Sequence, residues 1–224
     1  MERLKLAILV STRGTVLKTV LRACREGVVA GDVVAVAANR PCPAMDVARE
    51  AGVPHVAAYP LEGHPDRAAR DAAMADDLAA AGADLVVVGG YSEVLEEDLV
   101  GRYPDRIISM YPAILPSFGE LREAIGPALE QGVKLVGVTI HFRTAGTLSG
   151  GPIIAQEPLA VEVGETVEGV TERVVELESR LIPRVLAAFA AGQVRREGNR
   201  VRVSGRAAAS ERGVSRCGGS RPQS

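Results

Sequence analysis

The chain has 224 residues, enough for one substantial domain and its core. A formal net charge of -2 argues against general nucleic-acid binding, which needs a basic face. Trp is absent and aromatics make up only 3%, so stacking surfaces for bases are scarce.

The first residues, Met1-Glu-Arg-Leu-Lys5, lead straight into an apolar run too short for a signal peptide or a membrane span, which predicts a cytoplasmic chain without membrane contact. Leu4 to Val10 reads as a strand that ends in Ser-Thr-Arg-Gly-Thr. Val16 to Glu26 carries apolar residues at helical spacing, with Gly27 and Gly31 bracketing its end. Val33 to Ala38 predicts a second buried strand, Met45 to Ala51 a short helix closed by Gly52, and His55 to Ala58 a third strand. Asp66 to Ala81 is Ala-rich and helical, stopped by Gly82. Leu85 to Val88 and Ile107 to Met110 are further short strands. Such alternation predicts an α/β fold, a doubly wound, mostly parallel twisted sheet with helices on both faces.

The second half changes character. Leu135 to Phe142 and Pro152 to Val163 are strand-like with no long helix between them, which predicts antiparallel strands added to the parallel sheet. Thr166 to Ala191 is the longest helical pattern, opened by Glu-Thr-Val-Glu in the manner of a capping box. It contains Pro183, which should kink or split it. Val194 to Val203 predicts a hairpin around Glu197-Gly-Asn199. Residues 1–203 read as a single domain, and the Ser, Gly, Arg and Ala composition of 204–224 as a disordered tail. Cys24, Cys42 and Cys217 show neither metal spacing nor even pairing and read as free thiols. His55 and His64 read as surface residues.

Two segments carry candidate chemistry. Ser11-Thr-Arg-Gly-Thr-Val16 joins the first strand to the first helix, where doubly wound sheets hold ligands. Backbone donors at Gly14, Thr15 and Val16 suit a phosphate, and Arg13 adds charge. A capped turn without a ligand is an equal reading. The other segment is Arg106-Ile-Ile-Ser-Met-Tyr-Pro-Ala-Ile-Leu-Pro116, two prolines in an apolar frame.

That frame resembles the active-site loop of the glycinamide ribonucleotide formyltransferase family, apolar-Asn-apolar-His-Pro-Ser-Leu-Leu-Pro. The resemblance runs from about Leu6 to Phe189 and includes Val36-Ala-Ala-Asn-Arg40, Leu85-Val-Val-Val-Gly-Gly-Tyr91, Gly137-Val-Thr-Ile-His-Phe142 and Gly150-Gly-Pro-Ile-Ile-Ala-Gln156. It implies transfer of a formyl group from formyltetrahydrofolate, as co-substrate, to the amine of glycinamide ribonucleotide in purine synthesis. The catalytic positions it assigns are Ser109, Tyr111 and Ser149, with His141 at a position neighbouring the site, where a strand histidine hydrogen-bonded in the core is the other reading. Gly14, Thr15, Val16 and Glu178 fall on substrate-binding positions, with Glu178 at the sugar. Tyr91, Ser92, Glu93 and Leu95 fall on the folate segment, where the family often has Met-Arg in place of Ser92-Glu93. No metal is implied.

Ser109 stands where the family has Asn, Tyr111 where it has His, and Ser149 where it has Asp. The loop Thr144-Ala-Gly-Thr-Leu-Ser149 is also one residue longer. The family set stabilises an oxyanion and moves protons, and the substituted set predicts much slower transfer. A catalytically inactive paralogue that binds a nucleotide, a folate or a protein partner is the alternative. The expected partner is a small phosphorylated molecule, with a homodimer left open.

Overall fold

The structure is a computed structural model that describes residues 3–119, 121 and 123–204. Every apolar run read from the sequence forms a strand. These are β1 (Leu4–Val10), β2 (Gly31–Ala38), β3 (His55–Ala58), β4 (Leu85–Val88), β5 (Ile107–Tyr111), β6 (Leu135–Phe142) and β7 (Ile153–Ala160). They join in one sheet ordered β3-β2-β1-β4-β5-β6-β7. The first five are parallel, while β6 runs antiparallel to both β5 and β7. The central strands are buried on both faces, hence their unbroken Val, Ile, Leu and Ala composition.

Helices α1 (Thr15–Arg25), α2 (Pro43–Glu50), α5 (Ile125–Glu130) and α6 (Val167–Ala190) cover one face through residues such as Leu17, Ile8, Ile140 and Leu186. Helices α3 (Arg67–Ala80) and α4 (Glu97–Val100) cover the other through Met74, Leu78, Leu99 and Val88. The short helices α4 and α5 lack enough turns to show a period in sequence. A hairpin of β8 (Val194–Glu197) and β9 (Arg200–Val203) follows α6. Of the proposed tail 204–224, Ser204 is held to the body by its N–H, which donates to Gln193 O at 2.9 Å, and residues from 205 onward, with Cys217, lie outside the described residues.

Three local expectations need correction. Helix α6 is not split at Pro183 but runs as 24 residues through it. A proline removes one backbone donor, and buried Leu181, Ile182, Val185 and Leu186 hold the helix on the sheet around that loss. The capping box is only half formed, because Thr166 Oγ1 accepts from the Gly169 N–H and glycine has no side chain to reciprocate. His55 and His64 are partly buried rather than surface groups, with His55 Nε2 3.3 Å from the Tyr59 hydroxyl and His64 Nδ1 3.0 Å from Pro60 O.

The sheet order reverses at β1, which lies between β2 and β4. The chain leaves β1 toward one neighbour and β4 toward the other, so their carboxyl ends open a crevice. The candidate site occupies that crevice.

Candidate active site

Between β1 and α1 the chain turns at Gly14, whose φ of 72° lies in the left-handed region. A Cβ there would stand 2.7 Å from Ala44 Cβ, so both conformation and close approach require glycine. The first backbone bond inside α1 runs from Lys18 N to Gly14 O. The N–H groups of Thr15, Val16 and Leu17 therefore have no acceptor within the helix. Among the described residues, the first turn of α1 carries no acidic residue and has no side-chain cap.

Gly14, Thr15 and Val16 line a cleft of about 380 Å³ together with Thr12. Gly90, Tyr91 and Ser92 of the loop after β4, and Ser109, Met110 and Tyr111 of β5, form further walls. Buried Ser11 ties two of these walls, its Oγ accepting from Ser92 N at 3.1 Å. Glu178 and Val175 of α6 close one side, Arg143 and Leu148 another.

Ser109 and His141 sit opposite each other in the antiparallel β5–β6 pair, and Tyr111 sits opposite Thr139. Directly paired residues share a face, which brings these three candidate positions together. Their roles then diverge. Ser109 borders the cleft and is almost wholly buried. The Tyr111 ring also borders it, but its hydroxyl is 2.8 Å from Phe118 O and 2.5 Å from Leu121 O, and accepts from Leu121 N at 2.8 Å. The hydroxyl is spent on the backbone of Phe118 and Leu121. His141 is fully buried and does not border the cleft; its Nδ1 lies 2.8 Å from Phe142 O.

Ser149 departs from the expectation. It borders a separate hollow with Leu115, Pro116, Gly119, Gly151 and Ile153. Of the positions the resemblance gives to folate, Tyr91 and Ser92 border the cleft, whereas Leu95 is fully buried in the core and does not, its carbonyl accepting from Gly146 N at 2.8 Å. The Glu93 carboxylate turns away from the cleft toward Arg70 and Asn39.

Glu178 follows the α6 stripe of buried Val174, Leu177 and Leu181, so apolar neighbours surround it. Desolvation pushes its carboxyl up to about 7. Arg143 and Arg70 were not singled out from sequence. Arg143 follows an apolar strand and borders the cleft, and its guanidinium donates to Glu93 O at 3.0 Å and to Leu148 O. Arg70 is fully buried inside α3, a position whose charge is a signal in itself.

A family model described as Formyl transferase matches residues 4–186. The chain belongs to the formyl transferase family. The phosphoribosylglycinamide formyltransferase of Mycobacterium tuberculosis strain H37Rv is 38% identical over 186 residues, covering 83% of this chain and 85% of the relative. Glycinamide ribonucleotide transformylase 1 from Symbiobacterium toebii superposes with a TM-score of 0.85 at 39% identity, over 90% of this chain and 94% of that one. Formyltetrahydrofolate deformylase from Burkholderia mallei also superposes, with a TM-score of 0.80 at 28% identity, over 91% of this chain and 71% of the other. The fold of this formyl transferase is thus shared by proteins named for transfer and for deformylation, and the choice between reactions rests on the site. Among the described residues, no helix is long and apolar enough to cross a membrane.

Proposed function

We propose that this formyl transferase moves the formyl group of formyltetrahydrofolate onto the primary amine of glycinamide ribonucleotide, at a rate well below that of an intact family site. The observation that carries the reading is the single cleft that runs from the α1 N-terminus, past Ser109, to the loop at Tyr91 and Ser92. A phosphate suits the unpaired N–H groups of α1, because the helix end carries partial positive charge. Glu178 on the same side suits sugar hydroxyls. The Gly90–Ser92 loop then faces the folate, which puts Ser109 between the two substrates.

In the reaction the amine lone pair attacks the formyl carbon, and the carbonyl electrons move to oxygen. The tetrahedral oxyanion collapses as the bond from carbon to the folate nitrogen breaks. The folate nitrogen gains a proton and the former amine loses one. Of this chain's residues, the Ser109 hydroxyl and the positive Arg143 guanidinium are the groups we assign to the developing oxyanion. Tyr111 takes no part, because its hydroxyl serves the backbone of Phe118 and Leu121. His141 is too deeply buried to exchange protons with a substrate, so water carries them. Each missing oxyanion donor costs about 10² to 10³ in rate. The substrates are small molecules, and the setting we propose is the cytoplasm.

The test is a direct assay with both substrates, beside calorimetric titration of glycinamide ribonucleotide alone. We expect binding, and formyl transfer with kcat below about 1 per second, the lower end of the ordinary enzyme range. Release of formate without formylated product would replace transfer with hydrolysis. Absence of nucleotide binding would remove the proposal altogether.

A further inference from the structure

A charged cluster lies beneath the loop after β4, on the α3 face of the sheet. Arg70 and Asp71 are both fully buried there, which is rare for charges unless they are paired. Arg70 Nε donates to Asp71 Oδ1 at 2.9 Å, and its Nη1 donates to the Glu93 carboxylate. Asn39, at the end of β2, donates to the other Glu93 oxygen at 2.6 Å. The second Asp71 oxygen accepts from Glu96 N at 2.7 Å. The loop is therefore gripped at two points three residues apart, Glu93 by its side chain and Glu96 by its backbone.

The grip extends across the cleft. Glu93 O accepts from Arg143, whose other arm reaches Leu148 O, and Gly146 N donates to Leu95 O at 2.8 Å. The 89–96 and 144–149 loops, one on each side of the site, are lashed to each other and to the cluster. Tyr91 joins it as well. Its ring lines the cleft, while its hydroxyl is buried within the electrostatic reach of Arg70, Asp71, Glu93 and Arg143.

We propose that Glu93, held by Arg70 and Asn39, is a positioning residue that fixes the Tyr91–Ser92 wall of the cleft and orients Arg143 against it. A buried cluster of this kind is a poor source of net stability, because desolvation offsets the Coulomb attraction. What it supplies is a defined geometry, since each donor and acceptor fits one arrangement of the loop. A cleft wall built from loop backbone gains binding strength when the loop is ordered before the ligand arrives. The ligand affected is the flat co-substrate on the Tyr91 side, not the phosphorylated substrate at α1; this much rests on the proposed function.

The test uses the full chain carrying Glu93→Ala, with Glu93→Gln as the conservative control. Glu93 is 22% exposed, so its truncation leaves no large cavity. Two readouts are taken: amide hydrogen exchange, and calorimetric affinity for 5-formyltetrahydrofolate and for glycinamide ribonucleotide. For Glu93→Ala we expect the amides of Glu96 and Gly146 to exchange at least about tenfold faster, with β1 and β4 unchanged. Folate affinity should fall about tenfold or more and nucleotide affinity by less than twofold, and Glu93→Gln should restore most of both losses. Unchanged exchange at Glu96 and Gly146 would overturn the proposal, as would faster exchange throughout the sheet, which marks a merely structural role. Should the wild type bind no folate, the proposed function fails, and the exchange pattern still decides whether Glu93 orders the two loops.

Discussion

At the scale of single residues, Glu178 shows how burial turns a carboxylate into a pH-dependent group. Its α6 neighbours exclude water, and its carboxyl is pushed up to about 7 from the ordinary 4.5. Between those two values the folded protein holds a proton that the unfolded chain has released. Stability therefore falls as pH rises through this window, and the full penalty is present above pH 7. A tenfold change in proton affinity corresponds to about 1.4 kcal/mol, and partial exposure to the cleft reduces the total to about 1–2 kcal/mol. Glu178→Gln removes the ionisation. We expect the variant to melt higher than wild type at pH 8 and at the same temperature at pH 4, as read by thermal denaturation. A constant offset between the two curves at all pH values would show that packing, not charge, separates them.

At the scale of elements, the α1 N-terminus depends on one glycine. Gly14→Ala would place a methyl group 2.7 Å from Ala44 Cβ, in a backbone conformation with φ of 72°. The strain costs about 1–2 kcal/mol. Relief comes either by pushing α2 away or by turning the first N–H groups of α1. We expect this variant to lose at least about tenfold in affinity for glycinamide ribonucleotide while keeping the β-sheet signature in circular dichroism; unchanged affinity would separate the turn from the phosphate site. The turn was legible in sequence because glycine between a strand and a helix has few other reasons to be there. The sheet was legible for a related reason: β1, β2 and β4 are buried on both faces, and only unbroken apolar runs satisfy that environment. The destination of the Tyr111 hydroxyl was not legible. Its partners are backbone atoms seven and ten residues away, and no side-chain pattern records them. Ser149 was assigned by its spacing from Pro152, and spacing alone does not tell which of two hollows a loop residue borders. The Arg70 cluster draws on β2, α3 and the 89–96 loop, and its pairing exists only once those three segments meet.

At the scale of the whole molecule, the shared fold leaves the reaction to a few groups around one cleft. The frame is intact: the α1 N-terminus, the loop walls and Glu178 all border the same space. What the resemblance marks as different is the residue type at Ser109 and Tyr111. Ser109→Asn would add a longer donor at the cleft, and Tyr111→His would exchange a committed hydroxyl for an imidazole that titrates near neutrality. Together they should raise kcat/KM for formyl transfer by at least about 10², the worth of one oxyanion donor. The gain comes at a cost, because Phe118 and Leu121 lose their shared partner. Leaving such groups unpaired costs about 1–3 kcal/mol, so the double variant should melt lower than wild type. Adding Ser149→Asp should change the rate less than about threefold, since this position borders the hollow at Leu115 and Gly119 rather than the cleft. A large further gain from that third substitution would mean that the 144–149 loop swings into the cleft when substrates bind. No gain from the double variant would mean that the substituted positions do not limit the reaction, and that the Arg143 side of the cleft governs its rate.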